Sequence, residues 1–319
     1  MPKKKILGIS MPVLAIIAIS LVLLTLISII SGAVGRSIFS DINLPSWLII
    51  DQPHPELPPE EIFSLFGFPI TNTMIGAWIS ILVLGLIFWA ATRKMKLIPG
   101  RLQTFAEFAI GWLLNFCTDI AGEKNGRRFF PLVATIFLFV IANAWLSLIP
   151  GFGSILITDV HGETAHLIRG ANTDINLPLV LALISFFMVE FWGIRDIGRK
   201  YSSKFFNFNP LFGSVKSVFT GKVKKGLGGM FNGAIKAFIG MIELLSELVR
   251  VLSFTFRLFG NMTGGEILLI MIAYMAPFVI GTVFYGLELL VGFIQALIFG
   301  GLTLVFAMIA VTPHTEDEH

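Results

Sequence analysis

Five polar side chains interrupt the long apolar runs of the C-terminal third: Arg257, Asn261, Glu266, Glu288 and Gln295. Polar and charged groups at membrane depth are expensive, roughly 3 to 17 kcal/mol for an unpaired arginine depending on the method, and they mark ion pathways and proton relays. Acidity divides the labour among them. A guanidinium stays protonated, so Arg257 suits a fixed positive charge that repels a passing cation and favours the ionised form of a carboxylate brought near it. Glu266 and Glu288 can take up and release protons. Arginines near helix ends reach out to lipid headgroups, but apolar residues continue past Arg257, through Leu268 to Ala276.

The element that must position Arg257 is a helix. At about 100° per residue, Glu243, Glu247, Arg250, Phe254, Arg257, Asn261, Gly264 and Gly265 share one stripe, with Ser246 and Ser253 at its margins. Glu266 falls on nearly the opposite side and faces another neighbour. Gly260 and Gly264 make a GxxxG step, a weak signal alone, that with Gly265 lets another backbone approach closely. On the last helix, Tyr285, Glu288, Gly292 and Gln295 share one face.

The 319 residues are 55% hydrophobic and 13% charged, with a mean hydropathy of +0.85. Soluble domains carry about twice that charge, so the chain is expected to be an all-α integral membrane protein of about six hydrophobic helices. The net charge of +3 does not point to nucleic acid, because the basic residues cluster in loops next to apolar runs, where they report orientation. The single cysteine, Cys117, excludes an intrachain disulfide. No phosphate-loop or dinucleotide fingerprint occurs, so nucleotide chemistry would belong to a partner. No cofactor and no metal are expected.

Lys3, Lys4 and Lys5 precede an apolar run from about Ile9 to Ile30, long enough to span a bilayer, so residues 1–35 read as an N-terminal anchor segment, with a cleaved secretory signal as the competing reading. Residues 36–71 hold Asp41, Asp51, Glu56, Glu60 and Glu61 and six prolines, with Arg36 as the one arginine or lysine; an irregular extracytoplasmic segment is expected. A span over Thr73–Ala91 ends at Arg93, Lys94 and Lys96, which places its end in the cytoplasm. Pro99-Gly100 then break the chain before an amphipathic helix over Arg101–Ile120. Lys124, Arg127 and Arg128 precede a third span, Phe130–Ile149. The next loop holds Asp159, His161, Glu163, His166 and Asp174; a solvated loop explains it better than a metal site. A fourth span over Leu177–Ile194 runs into Arg195, Arg199, Lys200, Lys204, Lys216, Lys222, Lys224 and Lys225. Gly226, Gly228, Gly229 and Gly233 introduce the Arg257 helix, which ends near Ala276, and Pro277 starts the last helix, to Val311. Both exceed an upright span and are expected to be a strongly tilted membrane-embedded hairpin. The tail, 313–319, is acidic, and both termini are expected in the cytoplasm.

Arg257-Leu-Phe-Gly-Asn-Met262 followed by Gly265-Glu266 resembles the signature of subunit a of the F-type ATP synthases. Supporting resemblances are Pro99-Gly-Arg-Leu-Gln-Thr104 with Glu107, Pro131 with Ile136-Phe137, Ser147-Leu-Ile-Pro150, Thr173-Asp174-Ile-Asn176, Glu243 with Leu245-Ser246, and Gln295-Ala-Leu-Ile-Phe299 with Leu302-Thr303. They would make 72–312 the subunit a membrane domain. The chain departs from the family's usual asparagine before Leu-Ile-Pro, where Ala144 stands, and it carries glutamate at both 266 and 288 where many members pair a glutamate with a histidine.

The resemblance implies an ion-translocating stator subunit, not catalytic by itself, in the cell inner (plasma) membrane. Its partners would be the c-ring subunits, the peripheral stalk subunit b, the rest of the synthase and membrane lipid. Arg257 would be the essential charge between two proton half-channels. Glu266, Glu288, Asn261 and Gln295 would line the one open to the outside, and Glu243 and Ser246 the one open to the cytoplasm. The alternative is a secondary transporter or channel with a buried charge relay, for which repeated halves would be expected.

Overall fold

The computed structural model describes residues 5–6, 9–38, 45, 52–53, 58–158, 160, 162, 164–198, 201, 223–277 and 279–312, with the backbone alone described at 5, 6, 9, 223–230 and 232. The expectations for Lys3, Lys4, Asp41, Asp51, Glu56, Asp159, His161, Glu163, Arg199, Lys200, Lys204, Lys216, Lys222 and the acidic tail lie outside the described residues. The described chain is dominated by helices: α1 (Met11–Ser31), α2 (Ala33–Ile38), α3 (Asn72–Thr92), α4 (Arg101–Ser147), α5 (Asn176–Ile197), α6 (Val223–Met275) and α7 (Val279–Val311). By length and composition α1, α3, α4, α5 and α7 can each cross a membrane. This is an all-α membrane protein. At about 1.5 Å per residue, α6 with its 53 residues and α7 with 33 outrun the roughly 30 Å hydrocarbon core.

Among the described residues, three two-stranded antiparallel hairpins accompany the helices: β1 (Lys5–Ile6) with β2 (Ile9–Ser10), β3 (Glu61–Leu65) with β4 (Phe68–Thr71), and β5 (Leu156–Thr158) with β6 (Thr164–His166). The second corrects the expectation of an irregular segment up to residue 70. Leu65 pairs with Phe68, leaving Phe66 (φ 53°) and Gly67 (φ 81°) as a two-residue turn. Positive φ at both turn positions matches the twist of a tight hairpin. Its base is closed by a reciprocal pair: Asn72 Nδ2 donates to Glu60 Oε2 at 3.0 Å, and the Glu60 N–H donates to Asn72 Oδ1 at 3.3 Å.

Two helices also differ from expectation at their starts. The amphipathic helix and the third span are two segments of α4 meeting at Gly122, whose φ of 76° and ψ of 164° break the helix. The second segment therefore begins before Phe130 and takes Lys124, Arg127 and Arg128 into its first turns. Helix α6 starts at Val223, so Gly226, Gly228, Gly229 and Gly233 lie inside it rather than ahead of it. Each glycine disfavours helix by about 1 kcal/mol, but extending a nucleated helix is easier than stopping and restarting one.

The chain forms two compact units. The first holds Met1–Trp78, Asn143–Asp174 and Gly260–Ile294; the second holds Ile79–Ala142, Ile175–Phe259 and Gln295–His319. The second unit has a core of Cys117, Phe129, Val133, Trp192, Tyr201, Leu304 and Ala307. In it the Phe129 and Trp192 ring centroids lie 4.5 Å apart, and the Ser185 and Thr303 hydroxyls share a buried hydrogen bond of 2.8 Å between α5 and α7.

Candidate functional site

Within the first unit, the connection from α4 to α5 is tied down residue by residue. Thr73 Oγ1 donates to the buried Asp174 carboxylate at 3.1 Å. Thr263 Oγ1, on α6, donates to the Thr173 carbonyl at 3.4 Å. The Arg169 N–H donates to the Asn72 carbonyl at 3.5 Å, and the Arg169 carbonyl packs so tightly on Gly76 that no Cβ fits there. The backbone of Arg169 is thus fixed against the start of α3, and its side chain is aimed from there.

The target is Glu266. Arg169 Nε donates to Glu266 Oε1 at 3.1 Å and Nη2 to Oε2 at 3.1 Å, the planar fork that suits a guanidinium to a carboxylate. Nη1 donates to the Pro58 carbonyl at 3.3 Å. The arginine side chain is 10% exposed and the glutamate 31%, so the pair is screened less than a surface bridge. It bounds a cavity of about 270 Å³ lined by Asn143, Ser147, His166, Arg169, Asn172, Met262, Glu266, Tyr285 and Glu288, among others. Glu288 is 7% exposed, and its carboxyl occupies the space that a side chain at Gly265 would need. Helix α7 is held there by Trp145 Nε1, which donates to the Leu289 carbonyl at 3.1 Å, and by Gly292 against Ala144.

The structure therefore brings Glu266 and Glu288 to one cavity, as their helical faces suggested. Asn261 belongs to the same unit but is exposed and is not among the lining residues. Arg257, Glu243, Ser246 and Gln295 belong to the second unit. There Arg257 is half-buried, with Nη2 at 3.5 Å from Ser253 Oγ; Glu243 is half-buried, Ser246 exposed and Gln295 buried at 2% exposure.

The continuous polar stripe on α6 does not survive as one surface. Glu247 and Phe254 turn inward, Glu247 pairs with Arg250 at 2.5 Å, and the Arg250 guanidinium sits 3.8 Å from the Phe306 ring centroid. Helical arithmetic places these residues on one side but cannot say which part of that side a neighbour covers. The exposed side in this unit runs through Val249, Ser253 and Phe256. Nearby, Tyr201 donates to Glu190 at 3.1 Å; burial, then the Glu190 carboxylate, pushes its phenol well above the ordinary range, so it stays a neutral donor.

Arg169 is the site residue that the sequence reading missed. The signal was present: between Ser37 and Ile175 every other arginine and lysine lies between Arg93 and Arg128, so Arg169 is a lone cation in loops otherwise acidic. Its guanidinium pairs with Glu266, so the two glutamates at the cavity are not left as a bare pair of like charges.

A multi-pass helical membrane protein with paired and buried charges on its last two long helices is the class this geometry defines. The family model described as ATP synthase A chain matches residues 74–308, and the chain belongs to that family, subunit a of the F-type ATP synthases. It is 31% identical over 242 residues to ATP synthase subunit a of Geotalea daltonii, covering 76% of this chain and 86% of that one. It is 31% identical over 265 residues to ATP synthase subunit a of Solidesulfovibrio magneticus, covering 80% and 94%. It is 33% identical over 229 residues to ATP synthase subunit a 3 of Pelobacter propionicus, covering 72% and 82%. Helix α1 lies outside the family match.

Proposed function

We propose that the chain carries protons through two half-channels against a rotating ring of c subunits, with Arg257 as the charge that keeps the half-channels apart. The observation that carries this reading is the first-unit cavity, where Glu266, tied to Arg169 at 3.1 Å, and the buried Glu288 converge. In it we place the half-channel open to the outside, because Arg36 and Arg169 are the only arginines or lysines on the acidic loops and the basic loops belong to the cytoplasmic side. Asn261 and Gln295 extend this path, and Glu243 and Ser246 belong to the path open to the cytoplasm. The exposed side of α6 meets the ring, and each ring carboxylate must lose its proton to pass Arg257. Subunit b and the rest of the synthase hold the chain against rotation in the plasma membrane, with both termini in the cytoplasm. The chain binds no cofactor and performs no catalysis alone; rotation couples ion flow to ATP synthesis in the soluble head.

The test is ATP-driven acidification of inside-out vesicles that hold the whole complex. Arg257→Ala is expected to abolish acidification while the assembled complex still hydrolyses ATP. Acidification at the native rate would refute the reading and favour a solute transporter.

A further inference from the structure

The cavity has a titratable group that neither the family signature nor the proposed pathway uses. His166 ends β6, outside the last two helices, and lines the same cavity as Glu288. Exposure falls along the lining: His166 is exposed, the Arg169–Glu266 pair is partly covered, and Glu288 is buried. A chain of polar groups thus leads from solvent to a buried carboxyl.

The histidine is held in a form suited to this position. Its Nδ1 lies 2.6 Å from the Gly153 carbonyl. A carbonyl only accepts, so Nδ1 carries the hydrogen and Nε2 keeps the lone pair in the neutral ring. Protonation at Nε2 leaves the anchoring bond unbroken, because both ring nitrogens donate in the imidazolium. The backbone is fixed as well, since the His166 N–H donates to Glu60 Oε2 at 2.9 Å.

We propose that His166 is the proton-collecting group at the solvent end of this cavity, an inference that rests on the cavity being the outer half-channel. Nε2 takes a proton from external water, and the imidazolium releases it through cavity water to a Glu288 carboxylate oxygen, which restores the neutral ring; pumping runs the same steps in reverse. The volume of about 270 Å³ has room for several waters. Histidine is the side chain that exchanges protons near neutral pH without help. The titratable groups around it are Glu60 at its backbone and Arg169, Glu266, Tyr285 and Glu288 round the cavity; Asp159, His161 and Glu163 lie outside the described residues.

The experiment is ATP synthesis driven by an imposed proton gradient in inside-out vesicles holding the whole complex, with the lumen at about pH 5.5 or about pH 8. His166→Ala and His166→Gln are compared with the native chain; glutamine can keep a donor to Gly153 but carries no proton. The inference expects both variants to lose about tenfold or more at the higher lumenal pH, to lose much less at the lower, where hydronium reaches Glu288 unaided, and His166→Ala to recover when imidazole fills the lumen. Native rates at the higher pH, an equal loss at both, or a loss that imidazole does not restore would overturn it. If Arg257→Ala also pumps normally, the half-channel reading fails; if Arg257→Ala behaves as expected and His166→Gln is native, this inference alone fails.

Discussion

Arg169 and Glu266 are the pair on which the residue-scale reading depends. Removing one partner of a partly buried, hydrogen-bonded pair leaves the other uncompensated at a cost of about 1–3 kcal/mol. Arg169→Ala and Glu266→Ala are each expected to slow ATP-driven acidification, and the reversed pair Arg169→Glu with Glu266→Arg to regain part of the rate. A reversed pair no faster than either single reversal would show that the contact at 3.1 Å has no functional weight. Glu266 and Glu288 were legible in the sequence because a carboxylate within an apolar helix has few bland explanations. Arg169 was harder to read, since it meets Glu266 across 97 positions and sits in a loop that has no periodicity to interpret. His166 was read as a solvated loop residue for the same reason. Only the fixed backbone at Asn72 and Gly76 turns this loop into a wall of the cavity.

At the scale of elements, α6 and α7 approach each other where Gly265 makes room for the Glu288 carboxyl. Gly265→Ala adds one methyl where there is no space. It is expected to displace Glu288 and lower pumping with the complex still assembled. Gly281→Ala, in the first turn of α7, meets open space and should pump like the native chain. Equal rates for the two variants in the acidification assay would show that the carboxyl is not confined there. Spans α1, α3 and α5 were legible to within two or three residues, because an uninterrupted apolar run has one stable solution in lipid. The joint at Gly122 and the early start of α6 were not. In both places local signals pointed to a loop, and the helix continued up to or through them. The β3–β4 hairpin was overlooked because its proline-rich approach drew attention from the Phe66-Gly67 turn. A stripe drawn on α6 alone likewise missed the cover that Phe306 gives to Arg250.

Over the whole molecule, the family assignment spans residues 74–308, and α1 adds an uncharged helix ahead of it. Within the first unit, α1 docks by small residues: Ser28 and Ser31 are buried, and Gly32 lies against the Met275 backbone at the end of α6 with no room for a Cβ. Small residues of this kind permit close approach of helices in membranes. The rest of α1 is exposed and apolar, as a lipid-facing helix must be.

The central claim is that the charge of Arg257 is what separates two water-accessible paths. It is tested most directly by passive proton conductance of vesicles holding the assembled complex under an imposed membrane potential, without ATP. The native chain should be tight unless the ring turns. Arg257→Ala should leak at a rate set by the potential, and the leak should fall when Glu288→Ala is added, because that closes the outer path. An Arg257→Ala complex as tight as the native one, and still able to pump, would contradict the account.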